Sequence, residues 1–374
     1  MSKPLSTPVN KPYLHYAWGL SFYSGKTRAY LRYKGIPHVE KNIRLWDLFR
    51  IQQKVGAQVM PVVVTPEGEW LQDTSNIIDL LEERHPAAPV VPSTAKQKVA
   101  AYLLEAWGDE FWLAPAMHYR WNFAENYAGF FRIQGGDNLL PFAPRVLKNR
   151  VVDWVAGKLR GFLKGLGVVP TQVRTVEQWT NTMLDALEVH FTAHDYLLGS
   201  KPSIGDFGLI GPLYAHLGRD PYPARELIAK RPHVAAWVQR MQHPATPKGG
   251  AYLADDEMPA TLTPIFHSIF GEFWPQLIAT LAAVQQATPI LPAGRGYPRQ
   301  LESIEIPLAG QPFHMRSRPY SLWMAQRALD ALRALPADEQ RTVEAWLKTI
   351  GGAEAMQLQI TPRLKRMALF VAPE

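Results

Sequence analysis

One ordering of segments near the start constrains this chain more than any other feature. An apolar stretch, Tyr13–Trp18, runs into a hydroxyl-bearing turn with Ser21, Tyr23 and Ser24. A helical stretch over 26–34 follows, with Ser24 in the position of its N-cap, and Gly35-Ile36-Pro37 stops it. Val39–Ile43 reads as a second strand, followed by an irregular helical region around Trp46–Lys54. Next come Met60-Pro61, a strand over 62–65, a Pro-Glu-Gly turn and a short strand at Trp70–Leu71, which together read as a hairpin. The last piece is a helix over 75–84 with Thr74 as its N-cap. The order β-α-β, then β-β-α, fits a mixed sheet with helices packed on it.

Beyond the proline-rich stretch at His85 the apolar spacing becomes helical. The clearest helices are Ala95–Phe111, Pro144–Leu166, Thr175–His194, Ile204–Leu217 and Pro232–Met241. Ser203 and Asp206 have the spacing of a capping box at the start of one of them. The segment 246–374 breaks this pattern. It combines helical stretches at Pro264–Gln286, Tyr320–Leu335 and Asp338–Ile350 with strands at Ile304–Leu308, Phe313–Arg316 and Lys365–Val371. Three regions result: 1–86, 94–245 and 246–374.

The chain has 374 residues and no cysteine. Disulfide scaffolding, zinc–thiolate sites and protein-thiol redox chemistry are thereby excluded. The histidines have no metal-ligand spacing, so no metal site is expected. No apolar run approaches the ~18–20 residues that span a bilayer, and the N-terminus lacks the apolar core of a signal peptide. A cytoplasmic location is expected. The net charge of +7 arises within residues 1–247, because 248–374 holds 12 Lys+Arg against 12 Asp+Glu. Local salt pairing is therefore expected for Arg295, Arg299, Arg316 and Arg318. Seven basic residues lie between Pro141 and Thr175, opposed there only by Asp153. No nucleic-acid reading motif accompanies them. The helix over 144–166 fits either a domain helix with a solvated basic face or a peripheral contact with an anionic membrane surface.

Residues 13–84 resemble the thioredoxin-like, glutathione-binding half of the glutathione transferases. The stretches from Tyr196 to Phe207 and from Arg231 to Met241 are similar to that family's all-helical second domain. The resemblance covers roughly 13–243 and implies an α/β thioredoxin-like N-terminal domain followed by an all-α domain. An α+β extension would complete the chain.

The same resemblance implies a function. Glutathione would be the co-substrate, a small hydrophobic electrophile the second ligand, and a homodimer the assembly. The glutathione thiolate is the nucleophile. Lowering a thiol pKa of ~8.5 by about two units takes roughly 3 kcal/mol of differential stabilisation. One hydroxyl donor at a helix N-terminus supplies that. Ser21 stands seven residues before Arg28, as the serine does in the tau and zeta classes, which marks it as the donor, with Ser24 and Tyr23 as rivals. A cis Met60-Pro61 would offer backbone to the cysteinyl part of glutathione, while Asp73 and Thr74 would receive its γ-glutamyl end. Gln58 and Lys54 would reach its glycyl carboxylate. Trp107, Trp112, Tyr119 and Arg120, along with His118 and Trp121, would line the electrophile pocket. A non-catalytic binding or scaffolding protein on the same fold is the alternative reading.

Overall fold

The computed structural model describes residues 11–244 and 249–374. The first ten residues and the expected boundary at 245–246 lie outside them. Four strands form the first sheet: β1 (Tyr13–Ala17), β2 (His38–Asn42), β3 (Val62–Val64) and β4 (Trp70–Gln72). Their order is β2-β1-β3-β4, with β1 parallel to β2 and antiparallel to β3, and β3 antiparallel to β4. Three helices accompany them: α1 (Phe22–Lys34), α2 (Leu45–Val55) and α3 (Thr74–Arg84). Helix α1 begins four residues earlier than its apolar spacing indicates. Ser21 is therefore its N-cap, and Ser24 lies inside the first turn. Gly35, at φ 62°, ends α1 in the left-handed conformation that glycine adopts most readily.

The helical part follows with α4 (Ala95–Ala106), extended by a wide turn over Trp107–Phe111, and α5 (Leu113–Asn122). After them come α6 (Arg132–Leu139), α7 (Arg145–Arg160), α8 (Val173–Ala193), α9 (Ile204–Pro212) and α10 (Pro232–Gln242). Helix α9 is buried along its whole length and opens with the Ser203–Asp206 capping box. It lies unusually close to α4, because a Cβ on Gly208 would stand 2.8 Å from the Glu105 backbone. One on Gly108 would stand 2.6 Å from the Leu209 nitrogen.

The segment 249–374 supplies α11 (Trp274–Ala287), α12 (Pro319–Arg333) and α13 (Ala337–Thr349). It also supplies two hairpins, β5 (Ser303–Leu308) with β6 (Gln311–Arg316), and β7 (Leu364–Met367) with β8 (Phe370–Pro373). The single strand expected over Lys365–Val371 is thus a hairpin. Its turn carries Ala368 at φ 52°, without the Asn-Gly or Gly signal that marks such turns in a sequence. These elements do not form a separate body. Helix α12 packs along α4, and one hydrophobic core runs continuously from Tyr13 through Trp179 to Val371.

Candidate functional site

Strand register gathers the expected glutathione contacts at one end of the first sheet. Tyr16 pairs with Val62, and Val62 pairs with Gln72. The chain leaving β1 toward Ser21, the cis Met60–Pro61 bond entering β3, and Asp73 leaving β4 therefore share that end.

Ser21 caps α1 from an extended conformation, accepting the Ser24 N–H at 3.3 Å while remaining partly exposed. Its own O–H is left to donate at the positive end of the helix. Ser24 is fully buried and accepts the Trp18 N–H at 3.3 Å, so its role is to hold the turn. Tyr23 is half-buried; burial, then the nearby Glu110 and Asp109 carboxylates, push its hydroxyl pKa well up. A neutral phenol results. Gln58 is exposed and bonded to Gln52 at 2.9 Å, and Lys54 is exposed on the same helix end.

Asp73, not Thr74, is the N-cap of α3, accepting the Ser75 and Asn76 N–H groups at 3.1 Å each. Its backbone at φ 75°, ψ 123° is one that L-residues rarely adopt, a cost of order 1–3 kcal/mol that the surrounding contacts must offset. Thr74 is the first helical residue and is buried. The second Asp73 oxygen accepts the Tyr320 hydroxyl and lies 3.6 Å from the Arg366 guanidinium. Burial and the Asp73 charge push the Tyr320 pKa far up, which keeps it a donor. Gln72 donates to the Ala368 carbonyl at 3.2 Å. The segment 319–368 therefore reaches the end of the sheet where Gln72 and Asp73 leave β4.

The four residues expected to line the electrophile pocket lie in the interior instead. Trp107 and Trp112 are fully buried, edge-on to Trp179 with ring centres 6.1 and 5.0 Å away. Tyr119 stacks on Phe123. Arg120 holds Asp220 through two 2.7 Å bonds and also donates to the Leu20 and Ala215 carbonyls. That pair fastens the turn before α1 to the helical part and leaves Arg120 committed. Aromatic residues at helical spacing in this segment are core. His118 and Trp121 are buried as well.

Sequence reasoning missed a buried polar cluster beneath the site. Lys26, at the start of the second turn of α1, donates to Ser75 at 3.1 Å, to Glu105 at 2.8 Å and to Asp109. Burial alone would lower the Lys26 pKa, but Asp109 and Glu105 outweigh it. The Glu105 charge is shared with Arg327, which also binds Asp79. Arg318 donates to Glu110 at 3.0 Å across 208 positions, so the pairing expected to be local is long-range. Nothing in the local sequence signals partners this distant. Among the described residues no group of three or more His, Asp or Glu could hold a metal ion.

Two family models match the chain. Residues 16–89 match the glutathione S-transferase N-terminal domain, and residues 181–240 match the glutathione S-transferase C-terminal domain. Those two stretches are thus similar to the two domains of the glutathione S-transferases, and together they span about a third of the chain. Glutathione S-transferase F14 of Arabidopsis thaliana is 26% identical over 106 residues, 28% of this chain. The chain spans only 39% of the length of that curated relative. Similar solved structures include a glutathione S-transferase from Methylobacterium radiotolerans in complex with glutathione sulfonate. It is 21% identical, with a TM-score of 0.38, over 64% of this chain and 92% of that one. Another is a glutathione S-transferase from Methylobacillus flagellatus with glutathione bound, 18% identical with a TM-score of 0.37 over 62% and 96%. The transferase N-terminal match contains Ser21, Met60, Pro61, Asp73 and Thr74. Tyr320 and Arg366, which engage Asp73, lie beyond both transferase domain matches.

Proposed function

We propose that this chain is a glutathione transferase-like enzyme in which Ser21 stabilises the glutathione thiolate for attack on a hydrophobic electrophile. The observation that carries the reading is the placement of the Ser21 hydroxyl. It is partly exposed at the N-cap of α1, at the same sheet end as the cis Met60–Pro61 bond and Asp73. A donated O–H and the helix N-terminus both favour the thiolate over the thiol. The Met60 backbone and the start of α3 would receive the cysteinyl and γ-glutamyl parts, and Gln58 the glycyl end. The electrophile would approach from the partly exposed Tyr23 side. Domains at 1–86, 94–245 and 246–374, a cytoplasmic detoxification role and a homodimer belong to the same reading. Retention on immobilised glutathione, followed by titration of the bound thiol in wild type and Ser21→Ala, tests it. A thiol pKa identical in the two proteins refutes it.

A second reading draws on Asp73. One of its carboxylate oxygens accepts the Ser75 and Asn76 N–H groups, and the other is engaged by Tyr320 and Arg366 of the extension. A non-catalytic binding protein would keep that arrangement permanently and bind no glutathione. Calorimetry with millimolar glutathione separates the two, because turnover or binding removes the second.

A further inference from the structure

Six of the twelve large apolar side chains exposed among the described residues cluster on α2, on α7 and just before α7. Phe142 is 86% exposed just before α7, and Val146, Leu147 and Trp154 are exposed along it. Trp46 and Phe49 are exposed on α2. The two surfaces adjoin. The Arg44 guanidinium lies between them, 5.3 Å from the Trp46 ring and 5.7 Å from the Phe142 ring. Beneath, Ile43 and Ile51 from the α2 side share one small core with Val152 and Ala156 of α7. Folding has thus turned the apolar residues of both helices into core on one side and left six large ones in water on the other.

The charge on this face is one-sided. Arg44, Arg50, Arg150 and Lys158 have no carboxylate within ion-pair distance among the described residues. The acids nearby are already committed: Asp47 to Lys41, Asp137 to Arg145 and Lys148, and Asp153 to Arg132. Leu147, Arg150, Trp154 and Lys158 recur at three- and four-residue steps, so one outward stripe of α7 alternates apolar and cationic groups. Lys158 sits 3.6 Å from the centre of the Trp154 ring. A solvated domain helix needs no aromatic residues on its outward stripe, and a protein-protein patch is depleted of lysine at its centre. Aromatic and aliphatic groups interleaved with unpaired cations match an interfacial position, with rings at headgroup depth and cations on lipid phosphates.

We infer that the face formed by α2, residue 142 and α7 docks the protein on an anionic lipid bilayer, with Phe142 and Trp154 entering the headgroup region.

The experiment uses the full chain and extruded vesicles, either of phosphatidylcholine alone or of phosphatidylcholine mixed with phosphatidylserine. Sedimentation and tryptophan emission report binding. The expected result is binding to the mixed vesicles, weakening as salt is raised, with a blue-shifted emission. Each cation near an anionic surface is worth about a fivefold gain in binding. Arg150→Ala/Lys158→Ala together should therefore lose at least tenfold. Phe142→Ser/Trp154→Ser should lose binding by a comparable factor. All four positions are exposed, so unchanged circular dichroism and unchanged glutathione retention are expected in both variants. No sedimentation at low salt overturns the inference, as does binding that neither double variant weakens. A light-scattering mass of a dimer that Phe142→Ser/Trp154→Ser reduces to a monomer also overturns it, since a second copy would then cover this face.

Discussion

Tyr320 donates its hydroxyl hydrogen to Asp73, 247 positions earlier in the chain. Asp73 caps α3 and stands where the γ-glutamyl end of glutathione is proposed to bind. On that proposal the extension and the ligand would compete for one carboxylate. A hydrogen bond of this kind contributes about 1 kcal/mol net, or more when one partner is charged. Tyr320→Phe should tighten glutathione binding roughly fivefold in calorimetry. An unchanged or weaker affinity would show that Tyr320 supports the site rather than competing for it.

Ser21 and Ser24 separate by environment. Ser21→Ala should raise the pKa of bound glutathione by about one to two units while costing roughly 1 kcal/mol of stability as a lost cap. Ser24→Ala removes the acceptor for the buried Trp18 N–H. It should cost about 1–3 kcal/mol and leave the thiol pKa where it was. Ultraviolet thiolate titration and urea unfolding read the two effects separately.

Arg120 serves the architecture. Its guanidinium is buried between Asp220 and two carbonyls. Asp220→Ala leaves that charge without its partner and should destabilise the protein by about 3–5 kcal/mol. Equilibrium unfolding measures it. A variant of wild-type stability with altered substrate preference would return Arg120 to the substrate pocket.

His190 sets an acid limit on the fold. Burial lowers its pKa to about 4, against an ordinary 6.5. Its ring faces the Thr261 hydroxyl, the Tyr196 carbonyl and His194. The folded protein holds the neutral ring, so the unfolded chain takes up the proton first as pH falls. The stability this contributes is complete above pH 6.5 and is lost toward pH 4, on the order of 3 kcal/mol in all. Urea unfolding across that window should show a steep decline that His190→Gln flattens. Parallel declines in both proteins would refute the assignment.

The sequence alone determined the elements of the first sheet and its helices, together with the longer helices of the second region. Alternating apolar residues, Gly35 and the Ser203–Asp206 box act within a few positions, so β1–β4, α1, α3 and α9 were readable within a few residues of their ends. Met60-Pro61 was readable as the step into β3, because an X-Pro bond is local, whereas the cap of α1 was expected at Ser24 and lies three positions earlier at Ser21. Thr74 yielded the cap to Asp73 by one position, since the Asp73 carboxylate reaches two helix N–H groups from its unusual backbone. Tertiary structure alone decided which buried groups meet. Trp107 and Trp112 became core when α8 brought Trp179 against them. Arg318 found Glu110, and Tyr320 found Asp73, across more than two hundred residues. Periodicity records which face of an element is apolar. It carries no record of which distant element will cover that face, because that choice is made by the packing and charge of the whole chain at once.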